Sequence, residues 1–148
     1  MDRADLYRTS SESVVVDSSR NVPLRIVERS GRGRSVIAVE AIAAGTLVER
    51  APVVVIPEED RAAVDLSTIG GYIFMWEPGS VGEDIYTGKG RVAVVLGYAS
   101  VVNHSYEPNC CFVRHIEART LDVLALRDIP AREEITFDYG MTLWFTPE

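Results

Sequence analysis

Asn103-His104-Ser105-Tyr106-Glu107-Pro108-Asn109-Cys110 is the stretch on which the reading of this chain turns, together with Glu133-Glu134-Ile135-Thr136-Phe137-Asp138-Tyr139-Gly140 further on. In the first, adjacent Asn and His side chains offer several donors and acceptors within a loop that Pro108 stiffens. Taken alone it reads equally well as a hydrogen-bonded turn capping the strand before it. The second, taken alone, is a strand running into a glycine turn, with Tyr139 a core aromatic whose hydroxyl has found a partner.

Working outward, the surrounding sequence is a succession of short strands and turns. Leu24, Ile26 and the run Val53 to Ile56 are β-branched or apolar and bounded by Gly and Pro, as strands are. Gly31-Arg32-Gly33 breaks the first strand and Ala44-Gly45 the next pair. Further strands are expected at Val92 to Leu96 and Thr120 to Leu126, and a short one at Val14 to Val16. Tyr72, Phe74 and Trp76 recur at a period of two, the pattern of a strand with one aromatic face. Pro57-Glu58-Glu59-Asp60 suits the start of one short helix, since proline and acidic residues favour a helix N-terminus. Gly79 to Gly90 is polar and glycine-rich and reads as a loop. Apolar stripes at helical spacing are scarce, so the fold class is mostly β with short helices.

Length and composition bound the function. At 148 residues the chain fits one domain, residues 21–148, behind a polar, serine-rich leader at 1–20. No stretch approaches the ~20 apolar residues that a membrane helix needs. The N-terminus lacks the basic-then-apolar order of a signal peptide, so a soluble, cytoplasmic protein without a membrane partner is expected. Cys110 and Cys111 are neighbours, which staple nothing, and both read as buried apolar fillers. With two cysteines and two histidines in all, no ordinary four-ligand zinc site is expected, and no metal. The net charge is −7 and the only lysine is Lys89, which argues against direct binding of nucleic acid. An acidic surface would instead attract a basic, lysine-bearing polypeptide.

The two stretches become far more specific when read in order with the rest of the chain. Asn103-His104-Ser105 with Pro108-Asn109, then Ala125-Leu126-Arg127-Asp128-Ile129, then Glu133 to Gly140, resembles the C-terminal half of a SET domain. Gly31-Arg32-Gly33-Arg34-Ser35-Val36-Ile37-Ala38 is similar to that family's glycine-rich opening, and Ile42 to Glu49 continues it. The resemblance spans residues 24 to 144 and looks closest to compact viral and bacterial SET proteins, which share an arrangement like Leu96-Gly97-Tyr98 before the Asn-His pair.

The resemblance implies a SET-domain, β-clip-like fold of small curled sheets, with the C-terminal segment threaded under a preceding loop as a pseudoknot. It implies a protein-lysine N-methyltransferase using S-adenosylmethionine. Tyr139 matches the family's catalytic tyrosine. Asn103 and His104 match its cofactor-contacting pair, with Gly31, Arg32, Gly33, Arg34, Tyr139 and Trp144 completing the cofactor set. Trp144 reads equally as a hydrophobic clasp on the C-terminus. Tyr72, Tyr98 and Phe137 are candidates to line the lysine channel. An unperturbed lysine, with a pKa of about 10.4, is almost wholly charged at neutral pH. An apolar channel beside a positive sulfur would lower that value and release the nucleophile. The substrate implied is a basic protein, histone-like or ribosomal.

The chain departs from the family's pattern at several points. Tyr106 follows Asn-His-Ser where a cysteine is common, Arg132 precedes Glu133-Glu134 where glycine is usual, Ser35 stands in for an opening glycine, and Ser100 occupies a position that is commonly basic or polar. No cysteine cluster follows Gly140, so the channel is expected to be closed by Met141 to Glu148, by the substrate, or by a second copy in a homodimer. Two other functions compete. One is a SET-shaped binding module without turnover that still holds the cofactor. The other is a hydrolase built on Cys110 or Ser105 with His104, residues too close in sequence to face one another readily and lacking a Gly-x-Ser-x-Gly elbow.

Overall fold

A computed structural model of the chain describes residues 22–31, 33–77 and 91–139. The leader, the strand expected at Val14 to Val16, the loop expected at 79–90, Arg32, Trp144 and the segment Met141 to Glu148 lie outside the described residues.

The first two strands, β1 (Leu24–Arg29) and β2 (Gly33–Ala38), form an antiparallel hairpin pairing Leu24 with Ala38 and Arg29 with Gly33. The connection is possible because Gly31 and Gly33 take φ of +80° and +72°, a region that side chains with a Cβ rarely enter. The long β3 (Leu47–Ile56) is followed by a 3₁₀ turn at Glu58–Asp60 and the single-turn helix α1 (Arg61–Asp65). The expected short helix is therefore present, entered through a 3₁₀ turn whose N-cap position is Pro57, at φ −65°. After a second 3₁₀ turn at Thr68–Tyr72 come β4 (Ile73–Glu77) and β5 (Arg91–Val95). A third turn at Tyr98–Val101 leads into the two-residue β6 (Asn103–His104). Then follow β7 (Cys110–His115), β8 (Thr120–Ala125) and β9 (Thr136–Phe137).

Five of these strands make one antiparallel sheet in the order β4-β5-β3-β8-β7. Its two edges curl toward each other. The Arg114 guanidinium on β7 donates to the Met75 and Trp76 carbonyls on β4, at 2.9 and 3.2 Å. The Phe74 and Phe112 rings meet edge to face, with centroids 5.4 Å apart. Every residue of β8 is buried. Leu121, Val123 and Ala125 join the hydrophobic core with Trp76, Val36, Val53 and Phe137. Each large side chain removed from water in this way contributes about 1.5–3 kcal/mol.

The expected aromatic face is only partly realised. Tyr72 falls in the 3₁₀ turn and stays exposed, Phe74 packs against the core, and Trp76 is fully buried. A register shift between Met75 and Glu77 interrupts the period of two. The physical reason is the curl, because a strand that must bend to meet β7 accommodates the bend in a bulge. Of the two cysteines, Cys110 is fully buried, and burial pushes its thiol up to about 12. Cys111 is only half-buried.

The C-terminal segment is what converts these sheets into one body. Residues 129–135 run beside 36–42: Ile42 and Ile129 exchange two bonds of 2.8 Å, Arg132 N–H donates to Ala38 at 2.7 Å, Ala38 N–H to Glu133 at 3.0 Å, and Ile135 N–H to Val36 at 2.7 Å. Beyond this, β9 pairs in parallel with β6. The segment is thus threaded between the first hairpin and the 103–109 loop, as the resemblance implies. Arg132, in the place of the usual glycine, adopts the glycine-like conformation itself at φ +73°.

Candidate active site

The site is built where the β6–β9 pair meets the end of β2. Asn103 spends its amide N–H groups on β2, donating from Nδ2 to the Arg34 carbonyl at 3.0 Å and to Ser35 Oγ at 3.3 Å. Ser35 is fully buried, so the residue that replaces a family glycine has become part of the clasp. His104 is buried and accepts the Tyr139 backbone N–H at Nδ1, 2.9 Å, with the Asp138 carboxylate 3.7 Å from the same nitrogen. A neutral imidazole that accepts at Nδ1 carries its proton on Nε2. Among the described residues that buried Nε2 has no hydrogen-bond partner.

Tyr139 is anchored twice. Besides its backbone bond to His104, its hydroxyl donates to the Val102 carbonyl at 2.6 Å. Its ring lies 5.1 Å from the His104 ring and 5.7 Å from Phe137. Burial holds the phenol well above its ordinary range, at about 12, so at neutral pH it is a neutral O–H donor. The His104 ring has a second aromatic neighbour, the exposed Tyr106, with centroids 4.5 Å apart.

The loop between β6 and β7 is pinned to the C-terminal segment by Asn109, which is 2% exposed. Its Nδ2 donates to the Glu134 carbonyl at 2.7 Å, its Oδ1 accepts the Thr136 N–H at 2.9 Å, and its own N–H reaches Thr136 Oγ1 at 3.3 Å. One side chain thus satisfies the C-terminal backbone on either side of Ile135.

The structure brings Arg34, Asn103, His104 and Tyr139 into one connected cluster. Gly31 and Gly33 lie at the turn that feeds it, and among the described residues beyond their chain neighbours no atom stands within 4 Å of where a Cβ on either would be. Tyr72 joins from the other side, because the Arg34 guanidinium donates to its hydroxyl at 3.0 Å and lies 5.8 Å from its ring centre. Tyr98 stands in the turn leading to Asn103 and, like Tyr72, is partly open to solvent, at 38% and 36%. Phe137 is shut away from solvent, between Phe74, Phe112 and Tyr139, at 6.1, 5.1 and 5.7 Å. It backs the Tyr139 ring from the core side. Arg32 and Trp144 lie outside the described residues. Among the described residues no group of three or more His, Cys, Asp or Glu is placed to hold a metal ion.

Asn109 and Glu49 lie within the Asn103–Asn109 and Ile42–Glu49 motifs, yet nothing in the sequence assigns either a role. An asparagine next to a proline is a weak turn signal, and nothing local marks which distant backbone it will clasp.

The comparisons agree with this geometry. The model of the SET domain family matches residues 33–140. The chain is 30% identical over 127 residues to a histone-lysine N-methyltransferase, H3 lysine-37 specific, of Schizosaccharomyces pombe, covering 85% of this chain and 79% of that protein. Among solved structures it is similar to a candidate histone methyltransferase of Plasmodium falciparum, with TM-score 0.60 and 25% identity over 82% of this chain and 96% of that one. It is also similar to the Neurospora SET domain protein DIM-5, a histone lysine methyltransferase, with TM-score 0.63 and 25% identity over 87% of this chain and 56% of that one. A threaded C-terminal segment that brings Asn103, His104 and Tyr139 together, on a chain matched from the glycine turn to Gly140, belongs to the SET domain family.

Proposed function

We propose that the chain transfers methyl groups from S-adenosylmethionine to a lysine side chain of a basic, histone-like protein, with Tyr139 as the catalytic residue. The observation that carries this reading is the bond between Tyr139 N–H and His104 Nδ1, which joins two motifs 35 residues apart into one pocket wall.

The residues present fit the cofactor. Asn103 has committed its N–H groups to β2 and keeps its Oδ1 as an acceptor, suited to an ammonium. His104 Nε2–H is a buried donor that finds no acceptor among the described residues. The glycine turn leaves room for a ligand to approach the backbone at Gly31 and Gly33. Asn103, His104, Gly31, Gly33 and Arg34 would hold the cofactor, with Arg32 and Trp144 completing the set. When bound, the cofactor supplies a methyl group on a positively charged sulfur.

The chain's own residues then supply alignment and a low-dielectric wall. Tyr139 commits its hydrogen to Val102, so its oxygen lone pairs are what remain to meet an activated methyl group through weak C–H···O contacts. A phenol titrating at about 12 stays protonated at neutral pH and cannot take the substrate lysine's proton, which leaves through solvent. The aromatic walls of Tyr72, Tyr98 and Tyr139, the last backed by the buried Phe137, would lower the lysine pKa by desolvation. Alignment of amine, methyl carbon and sulfur supplies the rest.

A net charge of −7 supports a basic substrate, histone-like or ribosomal, and the fission yeast relative's name points to the histone class. We place the reaction in the cytoplasm. A homodimer whose second copy covers the exposed Tyr72 and Tyr98 belongs to the same reading. The test is calorimetry with S-adenosylmethionine, followed by incubation with a histone mixture and mass spectrometry. Cofactor binding and lysines heavier by CH₂ units are expected. Binding without any lysine product would overturn the activity.

A further inference from the structure

Glu49 holds a turn that lies far from it in sequence. It lies on β3 at the register irregularity between Leu47 and Glu49, half-buried. Its Oε2 accepts the Tyr98 N–H at 2.8 Å and its Oε1 the Ala99 N–H at 2.9 Å, across 49 and 50 residues of sequence. These amides open the Tyr98–Val101 turn. That turn is otherwise closed by Ser100, whose N–H and hydroxyl both reach the Gly97 carbonyl at 3.2 and 2.8 Å. Gly97 is required here by space. Its backbone is extended, at φ −173°, but a Cβ would meet Glu49 Oε1 at 2.8 Å and the Ala51 Cβ at 2.9 Å. Ala51 is part of the buried core and has no room to yield, so an added methyl would push the carboxylate off its amides.

We propose that Glu49 is a positioning residue of the methyl-transfer site, an inference that rests on the activity assigned above. The turn that it holds ends at Val102, whose carbonyl takes the Tyr139 hydroxyl hydrogen, and continues directly into Asn103 and His104. One carboxylate therefore sets, through a single rigid turn, the acceptor that aims the phenol and the two residues that face the cofactor. A carboxylate suits this task because it offers two acceptor oxygens in one plane to two successive N–H groups. Glutamine offers one oxygen and would present an N–H to the other amide.

The experiment compares wild type, Glu49→Gln, Gly97→Ala and, as a core control that makes no hydrogen bond to the turn, Val53→Ala. In amide hydrogen exchange, Glu49→Gln and Gly97→Ala speed exchange at Tyr98, Ala99 and, through the turn, Tyr139, while Phe112 and Val123 stay protected. In turnover assays corrected for folded fraction, both lower kcat by about ten- to a hundredfold, as displacements of around an ångström do. KM for the protein substrate stays within about twofold, and Val53→Ala keeps wild-type kcat despite a lower Tm. Faster exchange at Tyr98 and Ala99 with Tyr139 unchanged would overturn the positioning role, whatever the activity. A kcat loss no larger than that of Val53→Ala at matched Tm would do the same. If wild type methylates no lysine while the Tyr139 amide still responds to Glu49→Gln, the positioning stands and the assigned reaction is what fails.

Discussion

Across the five-stranded sheet, Asp122 on β8 sits opposite Arg50 on β3, takes two bonds from its guanidinium at 2.7 and 2.9 Å, and takes a third contact of 2.9 Å from His115 on β7. In the β6–β9 clamp the strands are two residues long, and side chains do most of the holding: Asn103 to β2, Asn109 to Glu134 and Thr136, His104 to Tyr139. The sheet distributes its stability over a continuous ladder and a buried apolar face. The clamp concentrates its geometry in a few side chain-to-backbone bonds, each without a substitute. Damage to the first should therefore lower stability and leave chemistry intact. Damage to the second should alter chemistry at modest cost in stability.

The largest expected effect tests the sheet. Asp122 is 1% exposed, and Asp122→Ala leaves the Arg50 guanidinium without its counter-charge and the His115 ring without its carboxylate partner. We expect a loss of about 3–5 kcal/mol in urea unfolding. Turnover per folded molecule should stay within about twofold, because the triad touches nothing in the pocket. Lost turnover at unchanged stability would break the comparison.

Next in size is the clamp itself. Tyr139→Phe removes the phenol oxygen and its bond to Val102. We expect kcat to fall about a hundredfold, the scale of losing an oriented polar group at a reacting centre. The cost to stability should be only about 1 kcal/mol. Equal turnover by Phe and Tyr proteins in a purified assay would remove Tyr139 from the chemistry.

The same phenol sharpens the comparison through pH. Its folded value of about 12 lies above its ordinary 10, so its contribution to stability is complete below about pH 10, where folded and unfolded chains are both protonated. Above that the unfolded tyrosine ionises first, and the contribution is lost as pH rises toward 12. The difference in unfolding free energy between wild type and Tyr139→Phe should therefore shrink across that window. A difference that stays flat would mean that the phenol is more exposed than its bonds indicate.

The smallest effect is a gain. Arg132 holds a left-handed φ of +73° where glycine carries no strain. Arg132→Gly should stabilise the turn by about 0.5–1 kcal/mol, after the added flexibility of the unfolded chain is counted. Thermal denaturation reads it directly, and a lower Tm would show that the Arg132 side chain matters more than its backbone.

Much of this was legible in advance, in particular places. Strands at Leu24, Val53 to Ile56, Val92 and Thr120 follow from β-branched runs between breakers, and Gly31, Gly33 and Gly45 all proved to sit at positive φ. The motif order led to His104 and Tyr139, which are in contact, and to Asn103 beside them in β6. Phe137 was drawn as channel lining and lies sealed behind Tyr139, because alternation along a two-residue strand says little about which side meets solvent. Tyr72 was placed on a strand face and stands in a turn, because the adjoining strand starts one residue later and bulges.

The sequence by itself determined where the chain extends and where it turns, since steric limits on φ and the apolar rhythm of short runs act within a few residues. It also marked the residue types able to bind and to react. Only the tertiary structure decided that Arg114 closes the curled sheet, that Asp122 joins Arg50 and His115, and that Glu49 holds a turn 49 residues away. Charged side chains at these positions look alike in a linear string. Their partners are chosen by strand order and register, which bring distant backbone within hydrogen-bonding distance.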